Sequence, residues 1–143
     1  MKDYKSDLVY RIIDANINRA KEGLRVCEEV ARFVLDNRSL TKGLKKVRHE
    51  IDQALKMIPR RAKLCELRNS LTDVGFGIKL KKEFRRSGYK DIFFANIARV
   101  KESVRVLEEF SKLKSIKTAA HFKKIRYEVY DLEKKFINRL HNL

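Results

Sequence analysis

A repeated segment constrains the fold of this chain more than any other feature of its sequence. The segment ANINRAKEGLRVCEE at residues 15–29 aligns with ANIARVKESVRVLEE at residues 95–109, and ten of the fifteen positions are identical. Farther along each copy, LKKVRHEI at residues 44–51 aligns with FKKIRYEV at residues 122–129. Similarity in the same order at two places means that one structural unit occurs twice.

Each copy is predicted to be a helical hairpin. The chain of 143 residues has one proline and five glycines, and 38% of its residues are charged. So few helix breakers among many Leu, Lys and Glu residues favour long amphipathic helices. Ser39 is expected to cap the second helix, and Asp91 lies where a carboxylate complements the dipole of the third. The predicted helices cover residues 6–36, 39–58, 90–113 and 118–141.

The expected fold is all-α, with the duplicated hairpin forming a four-helix, bundle-like single domain over residues 1–143. The first repeat covers about residues 6–58 and the second about residues 90–141. The long connection, residues 59–89, is expected to be partly irregular because its second half holds three of the five glycines. Its first half is predicted to form a short helix with Pro59 at the first position. Long irregular segments in compact domains are often functional.

A helical wheel divides the repeated helix into two faces. Asn16 and Arg19 lie at the edge of the apolar face, where they can reach a crevice between helices. Asn96 and Arg99 occupy the same places in the second copy. The predicted core positions are Ala20, Leu24, Cys27 and Ala31, with their counterparts Val100, Val104, Leu107 and Ser111.

A polar row lies nearly opposite the core on the first helix. Its spacing suits either a solvated series of ion pairs or a polar binding site. The second copy has Phe94 in place of Asp14 and Ala98 in place of Asn18, which points to one functional half. The row consists of Asp14, Asn18, Glu22, Arg25, Glu29 and Arg32.

The net charge indicates the class of partner, and the hydropathy and cysteine content indicate the location. The net charge is +16, from 35 Lys and Arg against 19 Asp and Glu, which favours anionic partners such as phosphorylated small molecules or nucleic acid. No apolar run approaches the roughly 20 residues that span a bilayer, so a membrane location is not expected. Cys27 and Cys65 form no CxxC pair, and both are expected to be reduced. Cys27 is expected to lie in the core. Reduced cysteines favour a location in the cytoplasm.

The connection contains the remaining candidate chemistry. The chain has neither a P-loop GxxxxGK[ST] nor GxGxxG nor HExxH. Arg68 followed by Asp73 and Gly75 supplies an arginine, a carboxylate and flexible backbone, which can bind a phosphate and Mg²⁺. An Asx turn at Asp73 closed by Gly75 is the alternative, and Ser70 and Thr72 are expected to be turn residues. A basic run follows, either facing phosphate or simply solvated: Lys79, Lys81, Lys82, Arg85 and Arg86.

These motifs resemble a small non-canonical kinase family of thiamine biosynthesis. The matching stretches are, in order, RIIDANINRAKEGLRVCEEVARFVLD, LTKGLKKVRHEI, R-x4-DVG, ANIARVKESVRVLEE and RYEVYDLEKKF, over about residues 8–137. Members phosphorylate hydroxymethylpyrimidine phosphate to the diphosphate, either as separate proteins or as an additional N-terminal domain of thiamine-phosphate synthase. This chain is expected to be the separate form. Phe76 departs from the family pattern, which has a small hydroxylated residue after the glycine of DVG.

The resemblance implies ATP and a phosphorylated pyrimidine as substrates, with Mg²⁺ as the cofactor. Arg68 and Asp73 are then the expected catalytic residues. Asp73, with Glu22 or Glu29, is expected to hold Mg²⁺. Arginines grip the phosphates, and Asp and Asn side chains orient the pyrimidine or the waters of the metal. The residues expected to bind substrate are Asp14, Asn16, Asn18, Arg19, Gly75, Asn96 and Arg99.

Two functions without catalysis stay open beside the kinase. A basic helical protein can bind nucleic acid, although the repeated elements carry mixed charge and make that class less suitable. A helical scaffold can instead self-associate into a homo-oligomer through rows formed by Glu22, Arg25 and Glu29.

Overall fold

The computed structural model describes residues 4–78, 80 and 84–141, so Lys79, Lys81 and Lys82 of the basic run lie outside the described residues. The described part is helical and contains no strand, which confirms the all-α prediction. None of its helices is both long enough and apolar enough to cross a membrane. The helices are α1 (Tyr4–Glu29), extended by one π-helical turn (Val30–Val34), α2 (Arg38–Lys56), α3 (Lys63–Glu66), α4 (Tyr89–Ser111) and α5 (Ile116–Leu140).

The four long helices form the expected bundle of two hairpins. Helix α1 packs against α2 in the first hairpin, and α4 packs against α5 in the second. The hairpins meet through α1 against α4 and α2 against α5, while the short α3 lies on α1. All eight core positions predicted from the wheel are fully buried, with Cys27 among them.

The junction between α1 and α2 differs from its prediction. Asp36 adopts a left-handed conformation with φ of 47°, which a short polar side chain tolerates and which ends the helical path. Asn37 therefore becomes the cap of α2, and its side chain accepts a hydrogen bond from the backbone N–H of Leu40 at 3.0 Å. The prediction of Ser39 as the cap is wrong, because Ser39 already lies inside the first turn.

The start of the connection is also less helical than predicted. Pro59 lies in a turn, and its carbonyl accepts a hydrogen bond from the hydroxyl of the buried Tyr10 at 2.7 Å. Arg60 has a φ of 55°, which interrupts helical geometry directly after the proline. The short helix consequently begins only at Lys63, and Pro59 is not its first residue.

A buried ion pair joins the two helices of each hairpin. Arg48 on α2 donates from Nε and Nη2 to the Glu28 carboxylate on α1, at 2.9 and 3.4 Å. Arg126 on α5 donates from Nε to Glu108 on α4 at 2.8 Å. The Glu28 and Glu108 side chains are only 4% and 6% exposed. The repeat thus conserves an internal charge pair as well as a helix pattern.

We predict that Arg48→Ala lowers the free energy of unfolding by about 3–5 kcal/mol, because it leaves the Glu28 carboxylate buried with little compensation. Arg25 is the matched control, since it contacts the same carboxylate at 3.6 Å from an exposed position. Arg25→Ala is expected to cost less than about 1 kcal/mol. Urea denaturation of both variants measures the free energy of unfolding. Equal losses in Arg48→Ala and Arg25→Ala would contradict a stabilising role of the buried ion pair between Arg48 and Glu28.

Two helical glycines are predicted to respond differently to alanine. A Cβ added to Gly23 would lie 2.8 Å from Val100 Cγ2 and 3.0 Å from the carbonyl oxygen of Asn96, where α1 and α4 pack closely. A Cβ added to Gly43 would meet only Leu132, 2.5 Å from Cδ2 at the end of a flexible side chain.

We therefore expect Gly23→Ala to destabilise the protein by about 1–2 kcal/mol, because overpacking against α4 outweighs the gain in helix propensity. In Gly43→Ala, rotation of Leu132 relieves the contact, and we expect a change of less than about 0.5 kcal/mol. The urea midpoints of Gly23→Ala and Gly43→Ala, each compared with that of the parent chain, test both expectations. A Gly23→Ala variant as stable as the parent would disprove close packing of α1 on α4.

Candidate functional site

A cavity of about 650 Å³ lies between the first half of α1 and the connection after α3. Helix α1 supplies a row of polar side chains, and the connection covers that row from the other side. The polar residues lining the cavity are Arg11, Asp14, Asn16, Asn18 and Arg19 from α1, with Arg68, Asn69, Ser70, Thr72 and Asp73 from the connection.

An ion pair between Asp14 and Arg68 connects the two walls. Arg68 donates from Nε to Oδ2 and from Nη2 to Oδ1, both at 2.7 Å. These hydrogen bonds and the carboxylate charge raise the pKa of Arg68 above its ordinary value, so the guanidinium is always charged. The helical wheel places Asp14 in an outward-facing row, and this prediction is wrong: Asp14 is only 8% exposed because the connection covers it.

The rest of Arg68 is available for a ligand. Its side chain is 46% exposed, and among the described residues its Nη1 takes part in no hydrogen bond. A guanidinium has five N–H donors, of which Asp14 occupies two. Arg68 can therefore bind an anion in the cavity while its pairing with Asp14 remains intact.

The amide side chains on α1 are held by local contacts. Asn16 donates from Nδ2 to the Ile12 carbonyl at 2.8 Å, and its Oδ1 lies 3.5 Å from Arg19 Nη1. Asn18 Nδ2 lies 3.5 Å from Asp14 Oδ1. Asn16, Asn18 and Arg19 all line the α1 wall of the cavity, which lies between α1 and the connection rather than in the crevice between helices predicted for Asn16 and Arg19.

Asp73 forms the Asx turn that the sequence left as an alternative. Its Oδ1 accepts a hydrogen bond from the Gly75 N–H at 2.8 Å, and the residue is exposed at the rim of the cavity. Its other carboxylate oxygen, the amide oxygens of Asn18 and Asn69 and the hydroxyl of Thr72 are hard oxygen donors. Donors of this kind suit Mg²⁺, which needs few protein ligands when substrate phosphates complete its coordination.

Five residues named from the sequence do not line this cavity: Asn96, Arg99, Glu22, Glu29 and Gly75. Asn96 makes the same bond as Asn16, from Nδ2 to the Ile92 carbonyl at 2.8 Å, but Arg99 points to solvent. In the part of the chain that the structure describes, no three His, Cys, Asp or Glu side chains converge as a metal cluster. The assignment of Glu22 or Glu29 to Mg²⁺ therefore stays a prediction without a supporting contact.

Sequence reasoning missed Arg11 and Asn69, which both line the cavity. Arg11 lies seven residues before Asn18, so two helical turns bring it to the same side of α1, and extension of the polar row would have found it. Asn69 carries no periodic signal, because it belongs to the irregular connection. The exposed arginine Arg85 of the basic run lies outside the cavity.

The comparison with known families decides the relationship. Residues 11–135 match the model of the ThiD2 family. The chain belongs to the ThiD2 family. This confirms the resemblance seen in the sequence motifs, and the match includes most of both repeats and the whole connection.

Individual relatives are longer proteins. The chain is 39% identical to a thiamine-phosphate synthase of Nostoc punctiforme over 132 residues, which are 92% of this chain and 36% of the relative. A thiamine-phosphate synthase of Synechocystis is 40% identical over 133 residues, 93% of this chain and 37% of the relative. The thiamine-phosphate synthase of Rhodopirellula baltica is 39% identical over 130 residues, which are 91% of this chain and 34% of the relative. The chain thus spans about a third of these relatives, and no solved structure matches it.

Proposed function

We propose that this chain is a kinase of thiamine biosynthesis that phosphorylates hydroxymethylpyrimidine phosphate to the diphosphate, with ATP and Mg²⁺. Family membership and relatives named thiamine-phosphate synthase support the pathway. The observation that carries the proposal is the guanidinium of Arg68, held by a buried carboxylate and facing a cavity that Arg11 and Arg19 also line.

The reaction needs charge neutralisation more than proton transfer. An oxygen of the acceptor's phosphate monoester attacks the γ-phosphorus of ATP, a P–O bond forms, and the bond to the β-phosphate oxygen breaks to release ADP. The acceptor is already an anionic nucleophile, so a general base is not required. The enzyme must instead hold two polyanions in line and neutralise the charge between them.

The cavity supplies groups for this task. Arg11, Arg19 and Arg68 neutralise the phosphates, while Asn16 and Asn18 offer amide donors and acceptors to the aminopyrimidine ring. Asp73, with neighbouring oxygen donors, would hold Mg²⁺. When bound, the metal supplies positive charge that favours departure of ADP.

The same groups account for a requirement for the phosphorylated substrate. If arginines provide most of the binding energy, the unphosphorylated alcohol lacks the charged group that they bind and loses that part of the binding energy. The alcohol is expected to react at least about 100-fold less efficiently than the phosphate.

We predict that Arg68→Lys and Asp73→Ala each lower kcat/KM for diphosphate formation by about 100-fold or more, since the first loses the planar set of N–H donors that binds phosphate and the second loses the carboxylate that would hold Mg²⁺. Product formation from ATP, Mg²⁺ and hydroxymethylpyrimidine phosphate measures this. Arg68→Lys is preferred to alanine because it keeps a cation beside the buried Asp14. Arg85→Ala, at an exposed position outside the cavity, is the control and should retain activity. Folded Arg68→Lys and Asp73→Ala variants with normal rates would refute the assignment.

A further inference from the structure

A second cavity lies between α2 and α5 and shares no residue with the cavity beside Arg68. Its volume is about 680 Å³, within the range of small-molecule sites. Val47 and Leu132 form apolar parts of its wall, and Gly43 leaves space for the end of the Leu132 side chain. The ring of Tyr127 lines the cavity and is 57% exposed, so it presents an aromatic surface.

This cavity lies where equivalent parts of the two repeats meet. In the alignment of residues 44–51 with residues 122–129, Lys46 corresponds to Lys124 and Glu50 corresponds to Glu128. Because α2 packs against α5, the duplication brings two lysines and two carboxyl groups together around one groove.

The lysines give the groove an excess of positive charge. Lys46 is 3.6 Å from Glu50, and Lys135 is 2.8 Å from Asp131. Two further lysines, Lys123 and Lys124, also line the groove. Among the residues that the structure describes, neither has a carboxylate within ion-pair distance, so both are available to an anionic ligand.

Glu128 adds a pH dependence to this charge. Burial and the neighbouring carboxylate of Glu50 raise the pKa of Glu128 to about 7, while Lys46 on α2 and Lys124 on α5 oppose the shift. Glu50 Oε2 is buried without a hydrogen-bond partner, and the negative charge of this neighbouring carboxylate disfavours ionisation of Glu128. Below about pH 7 Glu128 is protonated, so the groove loses a negative charge that would repel an anion.

We propose that the groove between α2 and α5 is a second ligand site for a small phosphorylated aromatic compound of the nucleotide type. The phosphates bind to Lys123 and Lys124, and the aromatic ring packs against Tyr127 and Leu132. Charge complementarity selects the anionic end of the ligand, and the apolar wall selects the other end. The proposal goes beyond the kinase function and depends on no residue of the first cavity.

Titration of the full chain with the fluorescent nucleotide N-methylanthraniloyl-ADP tests the site, in an Arg11→Ala/Arg19→Ala background so that the first cavity loses two of the three arginines proposed to bind phosphate there. Lys123→Glu/Lys124→Glu is expected to weaken binding at least about 10-fold, because it reverses both charges that hold phosphate. Lys117→Glu/Lys134→Glu is the matched control: it makes the same charge change on exposed positions of α5 outside the groove and should weaken binding less than about 3-fold.

Competitors distinguish what the groove recognises. ADP is expected to displace the probe at lower concentration than inorganic pyrophosphate, since only ADP also contacts the apolar wall. Equal weakening by both lysine double variants would show a general charge effect and overturn the proposal. Full affinity in Lys123→Glu/Lys124→Glu would also overturn it. Neither result bears on the diphosphate-forming assay, so failure of this proposal is separate from failure of the kinase proposal.

The carboxyl pair provides a readout that is specific to this groove. Relative to Glu128→Gln, the parent chain is expected to lose about 3-fold or more affinity between pH 6 and pH 8, because Glu128 ionises over that interval. The comparison with Glu128→Gln removes the effect of the nucleotide's own ionisation. Identical pH profiles in the two chains would contradict a ligand site beside Glu128.

Discussion

The structure depends on two glutamates that are buried inside the hairpins. A carboxylate in a core is costly unless a partner reaches it with good geometry. Arg48 reaches Glu28 and Arg126 reaches Glu108, each from the second helix of its own hairpin. A slip of either helix along its partner would separate the charges, so each pair fixes the register of one hairpin. The register in turn determines which side chains of α1 and α4 remain for the contact between hairpins.

Duplication then produced two similar scaffolds, of which one carries the cavity. In the first repeat, Asp14 receives Arg68 from the connection and becomes buried. In the second repeat the equivalent position is Phe94, which offers no charge to attract such a segment and stays 39% exposed. The asymmetry noted in the sequence therefore corresponds to a structural difference: one helix face has been covered, and its equivalent has not.

Helix type and core positions could be predicted from short-range periodicity, and the arrangement as two hairpins could be predicted from the internal repeat. The burial of Asp14 could not, since a wheel treats α1 as an isolated helix and Arg68 lies 54 residues away. The position of Arg11 beside the cavity could have been predicted from the wheel by extending the polar row of α1 toward its N-terminus. The left-handed conformation at Asp36, which moves the cap to Asn37, has no periodic signal. The groove between α2 and α5 requires knowing which faces of the repeats meet.

The ion pair between Asp14 and Arg68 bears on how the cavity can act without rearranging. If a phosphate had to displace Asp14, its binding would be opposed by the cost of leaving a carboxylate that is only 8% exposed without a partner. The geometry avoids that competition, because Asp14 uses Nε and Nη2 and leaves Nη1 for a ligand. Asp14 thereby restricts the rotamers of a long side chain before any ligand arrives, so less entropy is lost on binding. This division of the guanidinium makes Asp14 a positioning group rather than a rival of the substrate.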